Sequence, residues 1–234
     1  MISSTLEAPV LLVGAAHVVD LNAALRKVLG DRVLDAMAVE LDDERARVLL
    51  SEHPEESKGG GQGPMILKLW ALLQRRLGAE MGGGFAGAEM RTAADLAKER
   101  SLPLFLIDDP IRVTLARLLG SLGVKERVSL VVGAILGLVL PARFVRGQLD
   151  AYSAEPGEYM DEVRRQYPAV ARVLVDERNE HMADRLAELR SKGFGRVAAV
   201  VGDAHVPGLA EALRRRGCPV ETIRFSELER ATAP

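Results

Sequence analysis

The chain has 234 residues, 48% of them hydrophobic, which is enough apolar material to bury a core as a single domain over residues 1–234. Its 31 basic and 33 acidic residues give a formal net charge of −2, and only 4% of its residues are aromatic. Without a basic tract or stacking aromatics, a nucleic-acid partner is not expected. The single Cys218 excludes an internal disulfide and a cysteine-based zinc site. Together with an amino terminus that lacks signal-peptide features, it predicts a cytoplasmic location.

Five continuous apolar runs predict β-strands, and four of them are each followed by a helical pattern. This alternation predicts an α/β fold with a mostly parallel central sheet of about five strands, flanked by helices. A helical insertion over about 110–191 separates the third strand from the fourth, and we expect it to form a cap. The predicted strands are Pro9–Val13, Val33–Leu41, Leu102–Ile107, Arg196–Val201 and Val220–Phe225.

One stretch of the sequence occurs twice. Nine of the fifteen positions from Val13 to Lys27 are identical to those from Val201 to Arg215, including a Gly-x-x-His motif that ends at His17 and at His205. Each copy predicts a strand, a tight turn and a helix. Because open parallel sheets bind ligands outside the carboxyl ends of their strands, both histidines are candidate site residues. The alternative is an old duplication whose histidines only cap turns.

Two further predicted strands end in acidic residues at the same edge. Glu40 directly follows the second strand and is the third site candidate, whereas Asp42 and Asp43 better fit the first turn of the next helix. Asp109 follows the third strand and precedes Pro110. It is either a helix N-cap or a partner of the site residues.

The predicted long helix Val170–Ser191 carries an acidic cluster around one arginine. Glu177 and His181 are four residues apart and share a helix face, which fits a ligand pair or, more commonly, an exposed ion-pairing face. Arg178 is the stronger candidate because a guanidinium can hold a carboxylate or stabilise an oxyanion.

A glycine-rich run precedes another candidate helix start. Gly82, Gly84 and Gly87 satisfy G-x-G-x-x-G, but a dinucleotide site is rejected because the run follows a helical pattern instead of a strand. Glu89 and Arg91 open the helix that follows, so both are candidate site residues.

The most apolar segment, Val128–Ala142, has only fifteen residues, short of the roughly 20 needed to span a bilayer. It predicts a buried helix or a helix-pairing contact in a homodimer, with an interfacial membrane helix as the alternative.

Six motifs, in this order, resemble those of the TraB family of pheromone-shutdown proteins. That family is related to the Tiki-type metalloproteases and, more distantly, to the erythromycin-esterase and ChaN-like proteins. The resemblance implies that both Gly-x-x-His motifs and the glutamate after the second strand form an active centre for metal-dependent peptide hydrolysis. Many TraB-like proteins also carry membrane helices after this domain, so the resemblance leaves open a membrane association through a region beyond Pro234. The motifs are 14–17, 38–42, 87–91, 108–114, 176–179 and 202–208.

Two imidazoles and a carboxylate suit a divalent Zn, Mn or Co ion. On this hypothesis His17 and His205 bind the ion, and Glu40 binds it or acts as general base on a peptide substrate. Arg178 and Arg91 would hold charge that develops on the substrate. The residues expected to orient these groups are Glu89, Asp109 and Glu177.

Two other hypotheses stay open at this point. A metal-independent, esterase-like hydrolase would use His17 as general base, with Glu40 orienting it. A non-catalytic protein would bind or sequester a peptide without cleaving it.

Overall fold

A computed structural model describes residues 8–15, 21–50, 87–126, 128–129 and 156–232 of the chain. Its sheet has five strands, all parallel, in the order β3-β2-β4-β1-β5. The predicted α/β fold and its parallel sheet are confirmed. The strands are β1 Val10–Ala15, β2 Ala36–Val39, β3 Leu104–Leu106, β4 Val197–Gly202 and β5 Val220–Ile223.

Helices follow the strands and cover both faces of the sheet. Within the described residues they are α1 Asn22–Gly30, α2 Asp43–Leu49, α3 Ala88–Glu99, α4 Ile111–Ser121, α5 Pro156–Gln166, α6 Pro168–Ala171, α7 Glu177–Ser191, α8 Val206–Arg215 and α9 Phe225–Thr232. A π-helical turn, Arg172–Asp176, joins α6 to α7, and a 3₁₀ turn, Asp203–His205, joins β4 to α8.

Two apolar cores lie on opposite faces of the sheet. Successive strand residues alternate between them, so that Leu11 and Val13 belong to one core while Val10 and Leu12 belong to the other. Helices α1, α2, α3 and α9 supply the first core, and α7 and α8 supply the second. Burial on both faces explains why the strands read as continuous apolar runs instead of alternating ones.

The two copies of the repeat occupy neighbouring strands, with Ala15 of β1 opposite Gly202 of β4. Their helices nevertheless pack on different faces, because Leu25 of α1 lies in the first core and its counterpart Leu213 of α8 lies in the second. The sheet therefore separates the helices of the repeat while its edge brings their strand ends side by side.

The predicted long helix is confirmed as one helical run from Pro168 to Ser191, interrupted by the π-helical turn. Its α7 part packs Met182 and Leu186 into the second core. Much of the insertion over 110–191 lies outside the described residues, and its role as a cap stays a prediction.

Several predicted features lie outside the described residues: the turn that carries His17, the glycines Gly82 and Gly84 of the glycine-rich run, and nearly all of the apolar segment 128–142. A homodimer contact or a membrane contact through the last of these stays a prediction. Within the described ranges, no helix combines the length and the hydropathy that a bilayer crossing requires.

Candidate functional site

Glu40 lies at the carboxyl edge of the sheet, immediately after β2. Its backbone N–H donates to the Val200 carbonyl at 3.1 Å, which continues the pairing of β2 with β4. Its side chain reaches across the same two strands, since Oε2 accepts the Gly202 N–H at 2.6 Å. Strand pairing thus fixes both the backbone and one carboxylate oxygen of Glu40 and leaves Oε1 for other partners.

Arg178 reaches this edge from the first turn of α7. Its Nη2 donates to Glu40 Oε1 and, at 2.6 Å, to Asp108 Oδ2, while its Nε donates to Asp108 Oδ1 at 3.0 Å. Its Nη1 donates to the Leu174 carbonyl at 3.1 Å, inside the π-helical turn. π-Helical turns are frequent at functional sites. The local irregularity of this helix supplies one of the contacts that hold the guanidinium.

His205 ends the 3₁₀ turn that follows β4, and it is 5% exposed. Its Nε2 lies 3.0 Å from Arg178 Nη1 and 3.4 Å from Glu40 Oε1. On the other side of the ring, Nδ1 lies 2.8 Å from Asn179 Oδ1. The second Gly-x-x-His motif therefore places its histidine beside Glu40 and Arg178, which are 165 and 27 positions earlier in the chain.

These residues form one group at the sheet edge, called here the edge cluster: Glu40, Asp108, Arg178, Asn179 and His205. Its opposite charges shift the pKa values of Glu40 and Arg178. Burial alone would raise the pKa of Glu40, but its contacts with His205, the Arg178 guanidinium and the Gly202 N–H together hold that pKa well below its usual range. Burial would likewise lower the pKa of Arg178, and the Glu40 and Asp108 carboxylates raise it above its ordinary value. Glu40 is therefore an anion and Arg178 a cation at neutral pH.

Asp108 and Asn179 were not predicted as site residues from the sequence. Both are buried in the structure. Asn179 lies on the same face of α7 as Met182, Ala183 and Leu186, which pack into the second core. A polar residue at an apolar position of a helix indicates a buried hydrogen-bonding partner. That signal is present in the sequence and would have identified Asn179.

Asp109 is not the N-cap of α4, and that alternative was wrong. The first free amide of α4, on Ile111, donates to Asp42 Oδ2 at 2.8 Å, because Asp42 at the start of α2 lies close enough to serve both helices. Asp109 instead accepts from Arg117 Nη1 at 2.9 Å and lies 3.4 Å from His181 Nδ1.

The remaining predicted residues lie in other surroundings. Glu177 accepts from Arg172 Nη1 at 2.6 Å on a partly exposed helix face. Arg91 donates to the Leu49 carbonyl at 3.1 Å, and Glu89 is buried in the first turn of α3. Their predicted roles beside the active centre stay predictions.

His17 lies outside the described residues, so its proximity to His205 stays a prediction. The strand that leads to it ends at Ala15, beside Gly202 of β4. Within the described ranges, no group of three or more histidine, cysteine, aspartate or glutamate side chains is arranged to hold a metal ion. Glu40 and His205 supply two candidate donors, and a third would have to come from elsewhere in the chain.

Comparison with known proteins gives a consistent assignment. The model of the TraB/PrgY/gumN family matches residues 2–222. The chain is also 30% identical over 217 residues to an uncharacterized protein of Methanocaldococcus jannaschii, an alignment that covers 89% of this chain and 54% of the relative. The chain thus spans about half the length of that curated relative. The match across nearly its whole length shows that this chain belongs to the TraB/PrgY/gumN family.

Proposed function

We propose that this protein is a metal-dependent hydrolase of peptides whose active centre is the edge cluster, with His17 as a further ligand. The observation that carries the proposal is the 3.4 Å separation of Glu40 Oε1 and His205 Nε2. Two ligands at about 2.0–2.1 Å from one tetrahedral zinc ion lie about 3.4 Å apart. A mixed nitrogen and oxygen donor set also suits Zn, Mn or Co.

The surroundings of His205 support the same role. Histidines that bind metals usually donate their other ring N–H to a carbonyl or carboxylate oxygen. The 2.8 Å contact between His205 Nδ1 and Asn179 Oδ1 is of this kind.

A bound divalent ion would supply a water of lowered pKa and would polarise the peptide carbonyl. Glu40, which stays ionised at neutral pH, can bind the ion or accept a proton from the attacking water. Arg178 is positioned to stabilise negative charge that develops on the substrate oxygen. Asp108 keeps the Arg178 guanidinium in place through two parallel hydrogen bonds.

Arg178 already compensates the negative charge of the edge cluster. Its guanidinium contacts both Glu40 Oε1 and His205 Nε2, the two proposed donor atoms. An ion held through these two atoms would need Arg178 to give up both contacts, and the bonds to Asp108 and to the Leu174 carbonyl would still hold the guanidinium. One cation would then replace another, so the charge of Glu40 would stay compensated.

The contacts of Arg178 with both proposed donor atoms also favour a second candidate, a hydrolase that needs no ion. Every fully buried side-chain nitrogen or oxygen among the described residues already has a hydrogen-bond partner. On this alternative Arg178 would be the permanent cation of the site and His17 the general base, oriented by Glu40.

One experiment separates these candidates. Protein stripped by a chelator, with its metal content checked by elemental analysis, is incubated with a mixture of unstructured peptides, with and without added Zn, Mn or Co. Products are identified by mass spectrometry. Cleavage only with added metal is the expected result, and it should be lost in His205→Ala and Glu40→Gln. His53→Ala, which changes a histidine outside all six family motifs, is the matched control.

The other outcomes are equally informative. Undiminished cleavage by metal-free protein would support the metal-independent hydrolase and overturn the metal-dependent one. Saturable peptide binding with all peptide recovered intact under every condition would overturn both and support a sequestering protein.

A further inference from the structure

The buried hydrogen bond between Asn179 and His205 assigns a role to a residue outside the proposed donor set. Asn179 is 3% exposed, and its Oδ1 lies 2.8 Å from His205 Nδ1. Its amide is confined on the far side by Gly208, where an added Cβ would lie 2.4 Å from Asn179 Nδ2. The amide therefore fits its place only because residue 208 has no side chain.

The contacts of the neutral His205 ring determine which of its nitrogens carries the proton. Arg178 Nη1 lies 3.0 Å from Nε2, and a guanidinium can only donate hydrogen bonds. Nε2 must therefore accept, which leaves the proton on Nδ1. Nδ1–H then needs an acceptor, and Asn179 Oδ1 is the atom within reach.

The opposite arrangement of protons is less favourable. If the Asn179 amide were turned so that its NH₂ donated to Nδ1, Nε2 would carry the proton and could donate only to Glu40 Oε1, at 3.4 Å. That distance is long for an N–H···O hydrogen bond. The Nε2 proton would also face the N–H of Arg178 at 3.0 Å.

We infer that Asn179 is a positioning residue that acts together with Arg178. Arg178 donates to Nε2 and Asn179 accepts from Nδ1–H, so that neutral His205 is held in its Nδ1–H tautomer with the Nε2 lone pair between Glu40 and Arg178. The tautomer is a property of the folded chain. Its catalytic meaning, which is to keep Nε2 available as a ligand, rests on the proposed function. Loss of such a partner typically lowers metal affinity or activity by about 10- to 100-fold.

The test is the ¹⁵N spectrum of the histidine rings in full-length protein labelled at histidine, recorded across pH so that the neutral ring is observed directly. The His205 signals are assigned by their loss in His205→Ala. In the wild type we expect a pyrrole-type Nδ1 and a pyridine-type Nε2. Asn179→Leu, of similar size but without an acceptor, should weaken this signature, because Nδ1–H would then be buried without a partner while Arg178 still donates to Nε2. Asn179→Asp, which restores an acceptor oxygen, should recover it.

Gly208→Ala tests the same bond without changing either partner. The added methyl group should displace the Asn179 amide and weaken the Nδ1–H signature. In Asn179→Leu the same substitution should have no additional effect on the ring. This variant also keeps the inference testable if Asn179→Leu fails to fold, which circular dichroism would reveal.

Two results would overturn the inference: a wild-type ring with its proton on Nε2, or an Nδ1–H signature that is undiminished in both Asn179→Leu and Gly208→Ala. Zinc affinity, measured by competition with a chromophoric chelator, is the second readout, and Asn179→Leu should bind zinc at least about tenfold more weakly. If the ring spectra agree with the inference but zinc does not bind the wild type, only the proposed function fails.

Discussion

The two Gly-x-x-His copies of this chain are alike in sequence and different in surroundings. Both begin in central strands of one parallel sheet, and in both the helix that follows buries a leucine pair and an alanine at equivalent positions. In the second copy α8 begins at Val206, directly after His205, whereas in the first copy α1 begins at Asn22, five positions after His17.

One substitution inside the repeat changes what the strand end contacts. Asp203 of the second copy replaces Ala15 of the first, and its carboxylate accepts from the Phe225 backbone N–H at 2.8 Å and from the Arg224 guanidinium at 2.6 and 2.8 Å. It thereby joins the end of β4 to the start of α9. In the second copy the motif places His205 at the sheet edge, and residues elsewhere in the chain, Glu40, Arg178 and Asn179, are the ones it contacts.

The largest expected effect separates a shared site from a single functional copy. If both rings serve one active centre, His17→Ala and His205→Ala should each reduce peptide hydrolysis by about 10²- to 10⁴-fold, and the double variant should lose no more than either single one. The measurement is initial rate at saturating metal. Full activity in His17→Ala would assign the function to the second copy alone.

The repeated glycines provide the next largest contrast, because the same substitution meets different neighbours. An added Cβ at Gly14 would lie 2.3 Å from Asp203 Oδ1 and 3.2 Å from the Asp203 Cα. At Gly202 the nearest atoms are Glu40 Oε2 at 3.3 Å and His205 Cδ2 at 3.6 Å. Gly14→Ala should therefore lower the free energy of unfolding by about 3 kcal/mol, and Gly202→Ala by less than about 1 kcal/mol.

Urea unfolding of both glycine variants measures these values. Equal losses of stability would show that the two strand ends have equivalent surroundings, against the contrast described here. Gly202→Ala should instead reduce hydrolysis, because the added Cβ would lie 3.3 Å from Glu40 Oε2 and crowd that carboxylate.

The ionised Glu40 side chain contacts the second copy through Gly202 and His205, so we expect its contribution to the free energy of unfolding to vary with pH. Because the folded pKa of Glu40 lies below its ordinary value of 4.5, its ionisation stabilises the folded state above that pH. At pH 7 Glu40→Gln should be less stable than the wild type by about 1.5 kcal/mol. The difference should shrink as the pH falls below about 4.5 and disappear once the pH is below the folded pKa.

Urea midpoints of both proteins between pH 7 and pH 3 provide the measurement. Other carboxylates titrate equally in both, so only the difference between the two curves reports Glu40. A difference that grows with acidification would contradict the assigned direction of the pKa.

The smallest expected effect concerns the competition between Arg178 and an ion. Arg178→Gln removes the cation that contacts both proposed donors and should raise zinc affinity by about tenfold, whereas Arg178→Lys should remain close to the wild type. Arg117→Gln, which removes an arginine paired with Asp109 outside the cluster, is the matched control. An unchanged or lower zinc affinity in Arg178→Gln would show that Arg178 does not occupy the position of the ion.

Local patterns were sufficient to predict most of the fold. Continuous apolar runs identified all five strands, because a parallel sheet buries both faces and leaves no polar alternation to obscure them. The acidic residue that follows β2 pointed to Glu40, and the repeat pointed to His205. The N-cap alternative for Asp109 was wrong because the cap of α4 comes from Asp42, on a different helix, which no local pattern encodes.

The sequence by itself determined the succession of strands and helices along the chain, the residue types available at the sheet edge and the family. Only the tertiary structure decided which of them meet. Asp108 enters the cluster while its neighbour Asp109 does not, and Asn179 joins it from the buried face of α7. The physical reason is that a strand end or helix turn directs consecutive side chains to different sides, and the packing of distant elements selects the side that faces Glu40, Arg178 and His205.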